Sequence, residues 1–250
     1  MINIVLPIAG RGSRFSEAGF KLPKPLIPIH GQPMIEAVVN NIRPLCKHRF
    51  IFVALKEHLD HLGMKDTLNR IAPGCIIIPV TKVTEGAACT VLLARKYIDN
   101  KDQLMMANSD QWVDININEY LSRISEGNVD GLIMTMKAND PKWSYVGFNN
   151  EGYVNNVVEK KVISNEATVG IYNFKQGQDF VKAADEMISK NLRVNNEFYV
   201  APAYNEMIKN QAKISIFNVG EEYNGMYGMG IPSDLEKFKN NPVSNKLRNN

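Results

Sequence analysis

Four short, nearly unbroken apolar runs recur in the first 108 residues: INIVLPIA (2–9), FIFVAL (50–55), CIIIPV (75–80) and QLMMAN (103–108). Runs of this kind suit strands buried on both faces. The stretches between them carry helical spacing. Pro33 opens one, with Ile35, Val38, Val39 and Ile42 on a common face, and 57–71 and 85–98 read as two more. Strands that alternate with helices and need cover on both sides predict a doubly wound parallel sheet. At 250 residues the chain can bury a substantial core as one large domain.

Beyond residue 130 the pattern shifts. GLIMTMKA (131–138), YVGFNNEGYVNNVVEK (145–160) and ATVGIYNF (167–174) read as strands, with NNEG (149–152) as a hairpin turn. Helices are expected over about 176–190 and 197–210, then a strand at KISIFNV (213–219). The closing NNPVSNKLRNN (240–250) is polar and expected to fray. No internal repeat and no linker divides the chain. The expected organisation is one α/β domain over 1–240, its sheet central, mixed and mostly parallel. Residues 1–130 form its doubly wound half, 131–240 its mixed half, and 241–250 a polar tail.

Composition excludes several classes. A net charge of +3 is too small for a protein that coats nucleic acid, while leaving room for local basic patches. Cys46, Cys75 and Cys89 are far apart, odd in number and form no CxxC pair. Neither a disulfide framework nor a zinc site is expected, and a reducing cytoplasm fits. No apolar run reaches the roughly 18 residues of a membrane span, and the N-terminal run is too short for a signal peptide. His30, His48, His58 and His61 make no ligand pattern, and the last two read as surface residues of a helix.

The first run ends in PIAGRGSRFSEAGFKLPKPL (7–26), where glycines and basic residues directly follow a strand. Glycines there let successive backbone N–H groups face phosphate oxygens. Two familiar phosphate loops fail the test. A dinucleotide fingerprint finds Gly10 and Gly12 but Phe15 in place of its third glycine, and the GK[ST] ending of a Walker loop is absent. The cations differ in kind. The planar fork of Arg14 can hold two phosphate oxygens, whereas Lys24 is a compact charge fixed before Pro25.

Gly10-x-Gly12-Ser13-Arg14, followed ten residues after Arg14 by Lys24-Pro25, resembles the signature of the nucleotidyltransferases that activate sugar phosphates and similar phosphate esters. The resemblance continues in order through TEGAACT (84–90), NSDQ (108–111), EKKVISNEATVGIYNF (159–174) and MGIPSDL (229–235). It implies a GT-A/Rossmann-like nucleotidyltransferase domain, 1–130 serving the nucleotide and 131–240 the acceptor. It further implies that Ala9, Gly10, Gly12, Ser13, Glu85, Gly86 and Ala87 bind the nucleotide. Arg14 would hold the departing phosphates, Lys24 the α-phosphate, and Asp110 a magnesium ion. Glu159, Lys160, Gly170 and Tyr172 would form the acceptor pocket, with Lys160 neutralising the incoming phosphate. Tyr145, Phe198 and Tyr199 read as core aromatics or as walls of that pocket.

One position departs from the family pattern. The second metal carboxylate belongs to a D-x-G-T-P segment, and alignment on GIP (230–232) puts Gly228 in its place. Asp234 reads as a cap of the last helix. Either one carboxylate with phosphate and water suffices, or another acid such as Glu221 or Glu222 reaches in, or activity has been lost.

Over its full length the chain is similar to cytidylyltransferases of bacterial surface-polysaccharide pathways. That similarity implies transfer of CMP from CTP to a small phosphate ester, L-glutamine phosphate, in capsule modification, with release of pyrophosphate. A sugar 1-phosphate acceptor is the alternative within the family, and a non-catalytic nucleotide-binding regulator the alternative outside it. A GT-A glycosyltransferase is disfavoured, because Asp110 and Asp114 do not form a DxD pair. A phosphomonoester, with a second pKa of about 6, is already a nucleophile at neutral pH. No general base is required, and no histidine sits beside these motifs. Expected partners are CTP, Mg²⁺ and the acceptor, with no nucleic acid and no membrane; self-association stays open.

Overall fold

The computed structural model describes the backbone of residues 1–61 and 63–249, and the side chains of all of these but His61 and Asn249. The surface placement expected for His61 therefore lies outside the described residues. The four apolar runs become β1 (Ile2–Ile8), β2 (His48–Leu55), β3 (Ile76–Val80) and β4 (Gln103–Ala107), parallel in the order β3-β2-β1-β4. Side chains alternate along β1: Ile2, Ile4, Leu6 and Ile8 join one core, Val5 the other. Both faces of β1, β2 and β4 are largely buried, which is why those runs are unbroken, whereas the edge strand β3 is only half-buried.

Seven further strands complete one eleven-stranded sheet. They are β5 (Gln111–Val113), β6 (Gly131–Lys137), β7 (Ser144–Phe148), β8 (Val154–Glu159), β9 (Glu166–Phe174), β10 (Ile214–Glu222) and β11 (Gly225–Gly228). The order is β3-β2-β1-β4-β9-β6-β10-β11-β5, with the β7–β8 hairpin attached to β9. β9 runs antiparallel between β4 and β6, while β10 returns parallel to β6. The fold is the single α/β domain expected: a central mixed sheet flanked by helices.

Helices α1 (Ser13–Glu17), α2 (Met34–Asn41), α3 (Lys56–His61) and α4 (Met64–Ile71) belong to the first half. So do α5 (Ala87–Leu92), α6 (Arg95–Ile98) and α7 (Ile117–Glu126); α8 (Gly177–Ser189), α9 (Ala203–Lys209) and α10 (Pro232–Asn240) follow. One core takes Ile35 and Val38 of α2, Leu68 of α4, Tyr120 of α7 and Phe238 of α10. The opposite core takes Val91 of α5, Ile98 of α6, Phe180 of α8 and Tyr204 of α9.

Five expectations need correction. The 85–98 helix is two short ones, α5 and α6, separated by a turn at Leu93 and Ala94. The 57–71 helix is two helices, separated where Gly63 turns left-handed at φ 65°. The second late helix begins only at Ala203, because Phe198 is drawn into backbone hydrogen bonds with Glu85 and Ala88. His58 is partly buried rather than a surface residue. The closing segment does not fray. Pro242–Asn249 forms a 3₁₀ helix, burying Ser244 and Leu247 and contacting His30 and Gln32.

Candidate active site

The loop after β1 and the turn after β4 meet at the carboxyl end of the parallel strands, where open α/β sheets place their ligands. Gly12 adopts φ 63° at the start of α1, and Phe15 is anchored in the core against Phe20. That anchor explains the failed dinucleotide fingerprint: the third glycine's position is structural. A side chain at Gly12 would press on Lys24 Cβ at 3.3 Å. Lys24, on the turn Lys24–Leu26, donates from Nζ to Asp110 Oδ2 at 2.7 Å. Asp110 lies between β4 and β5, and its carbonyl accepts from the Met229 N–H at 2.7 Å.

Beside this pair opens a cleft of two adjoining lobes, of about 340 and 400 Å³. Arg14, Gln111, Lys142, Trp143 and Lys160 line both. The smaller lobe adds Ala87, Glu159, Gly170, Tyr172 and Tyr199, the larger Asp110, Gly228, Gly230 and Asp234. Residues from distant motifs thus converge on one cleft: Arg14, Ala87, Asp110, Glu159, Lys160, Gly170 and Tyr172. Ala9, Gly10, Gly12, Ser13, Lys24, Glu85 and Gly86 line neither lobe, although Lys24 reaches the cleft through Asp110.

The acceptor-side charges are arranged by β8 and its surroundings. Ser144 donates from its hydroxyl to Glu159. Burial pushes the Glu159 carboxyl above the ordinary glutamate range, against the opposing effects of Ser144 and Lys160. Lys160 sits in the left-handed region at φ 55°, tied by its N–H to the Trp143 carbonyl. Its ammonium donates to the Tyr199 hydroxyl at 3.1 Å, a contact that holds its pKa above the usual lysine value. Lys142 lies 4.9 Å from the Trp143 ring centroid and 2.9 Å from Glu222. Tyr172, buried and bonded to Thr168, keeps its phenol proton well beyond neutral pH.

Local contacts fix several of these residues. The carboxylate of Glu85 is engaged by Arg193 Nη2 at 2.6 Å, so its side chain points at the 191–198 segment. Gly86, at φ 131°, is needed because a Cβ there would lie 2.5 Å from the Phe198 backbone. The room above Gly170 is taken by Asn108 and Gln111. Of the aromatics, Tyr199 lines the cleft, whereas Tyr145 and Phe198 are core residues. Asp234 does not cap: no side chain caps α10 at Ile231, and Asp234 Oδ1 instead accepts from the Tyr223 hydroxyl at 2.9 Å. Lys142, Trp143 and Gln111 were not singled out from the sequence. The first two stand in a turn between strands without any motif to mark them.

A magnesium ion suits the residues present. Asp110 already holds a cation, the Lys24 ammonium, in a cleft where Gly230 leaves space for the carboxylate: a Cβ at 230 would lie 2.8 Å from Asp110 Oδ2. Gln111 Oε1 is buried with no hydrogen-bond partner among the described residues. Hard oxygen donors of this kind match magnesium. Among the described residues, no group of three His, Cys, Asp or Glu side chains forms a self-sufficient metal cage, so further ligands would come from phosphate and water.

Fold and cleft together define an α/β protein with a cleft lined by Arg14, Lys142 and Lys160 at the carboxyl ends of parallel strands. A family model described as nucleotidyl transferase matches residues 3–218, and the chain belongs to that family. It is 25% identical over 244 residues to the bifunctional protein GlmU of Methanococcus aeolicus, covering 94% of this chain and 53% of that protein. The chain spans about half or less of the length of the curated relatives it matches. Among solved structures it is similar to a nucleoside-diphosphate-sugar pyrophosphorylase from Vibrio cholerae RC9. The TM-score there is 0.77 at 22% identity, covering 96% of this chain and 99% of the other. It is also similar to the inositol-1-phosphate CTP transferase from T. maritima, at TM-score 0.74 and 17% identity, covering 98% and 94%. These structural likenesses concern the fold. No helix among the described residues is long and apolar enough to cross a membrane.

Proposed function

We propose that this chain transfers CMP from CTP to a small phosphate ester, L-glutamine phosphate, and releases pyrophosphate, within capsular polysaccharide modification. The observation that carries nucleotidyl transfer is the convergence of Arg14, Lys142 and Lys160 with the Lys24–Asp110 pair on one cleft. Among the described residues, no histidine lines either lobe. Such a site does little proton chemistry and is built to bring anions together.

In this reading the acceptor phosphate oxygen attacks the α-phosphorus of CTP, and pyrophosphate leaves from the opposite side. Two anions must be held in line against their repulsion. Arg14 holds the departing phosphates, and Lys24 meets the charge that accumulates around the α-phosphate. Lys160 and Lys142 neutralise the acceptor phosphate, while Glu159 accepts hydrogen bonds from the acceptor's amino or hydroxyl groups. Magnesium on Asp110, when bound, would offset triphosphate charge and polarise the α-phosphate. Turn residues 84–87 and the loop at Ala9–Ser13 would present backbone groups to the nucleotide.

CTP and glutamine phosphate rest on the resemblance of the full sequence, and more weakly on the EFYVAP segment (197–202) and the glycine at 228. Structures of similar fold are described as a CTP transferase, a thymidylyltransferase and a UTP-bound UGPase, so the fold itself does not choose the donor. The sugar 1-phosphate alternative draws on the pyrophosphorylase neighbours. Pyrophosphate release over the four nucleoside triphosphates, with Mg²⁺ and a panel of phosphate esters, separates these readings. Release only with CTP and L-glutamine phosphate is expected. Release with a sugar 1-phosphate moves the assignment to that alternative. Tight nucleotide binding without turnover on any acceptor contradicts catalysis and favours a regulator.

A further inference from the structure

Gly228 stands where the family pattern puts an aspartate, and it lines the larger lobe together with Asp110 and Asp234. Strand β11 pairs antiparallel with β5, setting Gly228 opposite Gln111, and the next residue's N–H bonds to the Asp110 carbonyl. Residue 228 is therefore stitched beside Asp110. Its backbone lies outside the left-handed region, so a side chain there is allowed. A Cβ at that position would meet a single neighbour within 4.0 Å, the Oδ2 atom of Asp234.

We propose that Asp234 supplies the second metal carboxylate, reaching from α10 into the space that a residue-228 side chain would occupy. This rests on the metal-dependent reading above. Asp234 and Asp110 line the same lobe of about 400 Å³, each with a side chain about one-fifth exposed. The two oxygens of Asp234 are differentiated. Oδ1 accepts from the Tyr223 hydroxyl at 2.9 Å and lies 3.9 Å from Lys237 Nζ. Oδ2 has no hydrogen-bond partner among the described residues and faces Gly228. A carboxylate fixed through one oxygen with the other free is the arrangement that outer hydrogen bonds give a metal ligand.

Tyr223 is itself held firmly. It occupies the left-handed region at φ 65°, between β10 and β11, with its N–H donating to the Met226 carbonyl at 2.7 Å. Gln111 lines both lobes, and its Oε1 lies over Gly170 in the smaller one. Gln111 is 7% exposed, and its Oε1 is buried without a hydrogen-bond partner among the described residues. The other acids considered for this role do not serve: Glu221 and Glu222 line neither lobe, and Glu222 is paired with Lys142.

The test is Mn²⁺ binding, followed by the EPR signal of the free ion, in the presence of CTP and the absence of acceptor. Asp234→Asn should weaken Mn²⁺ binding on the order of 10- to 100-fold, with an unchanged thermal midpoint showing that it is folded. Adding Gly228→Asp to that variant should restore binding to within a few-fold of the parent. Tyr223→Phe should weaken it by a smaller factor. Mn²⁺ affinity unchanged in Asp234→Asn but lost in Asp110→Asn overturns this assignment and leaves the proposed function standing. Failure of Gly228→Asp to rescue also overturns it. Absence of any nucleotide-dependent Mn²⁺ binding in the parent protein would instead strike down the metal-dependent reading as a whole.

Discussion

Lys24 and Asp110 satisfy one another at 2.7 Å, and that pairing sets what each substitution should do. Asp110→Asn keeps the shape and removes the charge. Turnover is expected to fall by about 10²- to 10³-fold or more, the scale of losing one transition-state charge contact, with the unfolding transition unchanged. Full activity would remove Asp110 from the site. Lys24→Ala should lower kcat more than it raises the Kd for CTP, since the charge it opposes grows during displacement. Equal losses would mean ground and transition states are held alike. Glu159 gives a pH signature. Burial raises its pKa, so it keeps its proton to higher pH than an ordinary carboxyl and loses acceptor strength earlier as pH falls. The acid limb of kcat/KM for the acceptor should then contain two titrations, this group and the acceptor phosphate near about 6. Glu159→Gln should leave only the second, and an identical profile would contradict the role. Arg14, Lys24, Asp110 and Lys160 were legible because each sits in a short motif. Asp234 was misread as a cap because its place in the first turn of α10 suits one, whereas its carboxylate accepts from the Tyr223 hydroxyl across the fold.

At the scale of elements, the 197–200 segment is what joins the two halves of the cleft. It donates from the Phe198 N–H to Glu85 and accepts at the Phe198 carbonyl from Ala88, and it carries Tyr199 and Val200 into the smaller lobe. Arg193 adds its ion pair to Glu85 and its guanidinium 4.2 Å above the Phe198 ring centroid. Only a glycine at 86 permits this approach. Gly86→Ala should destabilise the protein by about 1–3 kcal/mol or more, measured by urea unfolding, and should raise the acceptor KM as Tyr199 shifts. A variant as stable as the parent with an unchanged KM would show that the contact is not rigid. This stretch is where helix prediction failed. EFYVAP carries aromatic and apolar residues that could line a helix, and its true partner is a backbone more than 100 residues away. The parallel strands, by contrast, were plain, because burial on two faces demands an unbroken apolar run wherever it occurs. β5 and β11, of 3 and 4 residues, are too short to show any period.

For the molecule as a whole, the sequence order of strands hides the neighbours that matter. β11 closes on β5, and α10 follows, so a segment near residue 230 lies against the turn that carries Asp110. The polar closing segment is also structural. Leu247 is 5% exposed, and the Gln32 side chain donates to its carbonyl at 2.9 Å. Removing residues 242–250 should lower stability by about 1.5–3 kcal/mol, the scale of exposing one large apolar side chain, as read from the urea midpoint. Activity of the folded fraction should persist, since no described residue of that segment lines the cleft; its loss would tie the segment to the site. Its low hydrophobicity concealed the docking, because the contacts are chiefly hydrogen bonds around two buried side chains. The central claim is that this cleft receives a nucleoside triphosphate with its phosphates over the glycine-rich loop. A crystal soaked with CTP and Mg²⁺ tests it most directly. The triphosphate is expected against residues 10–24, with the metal on Asp110; a nucleotide bound elsewhere, leaving that loop and Asp110 empty, would contradict it.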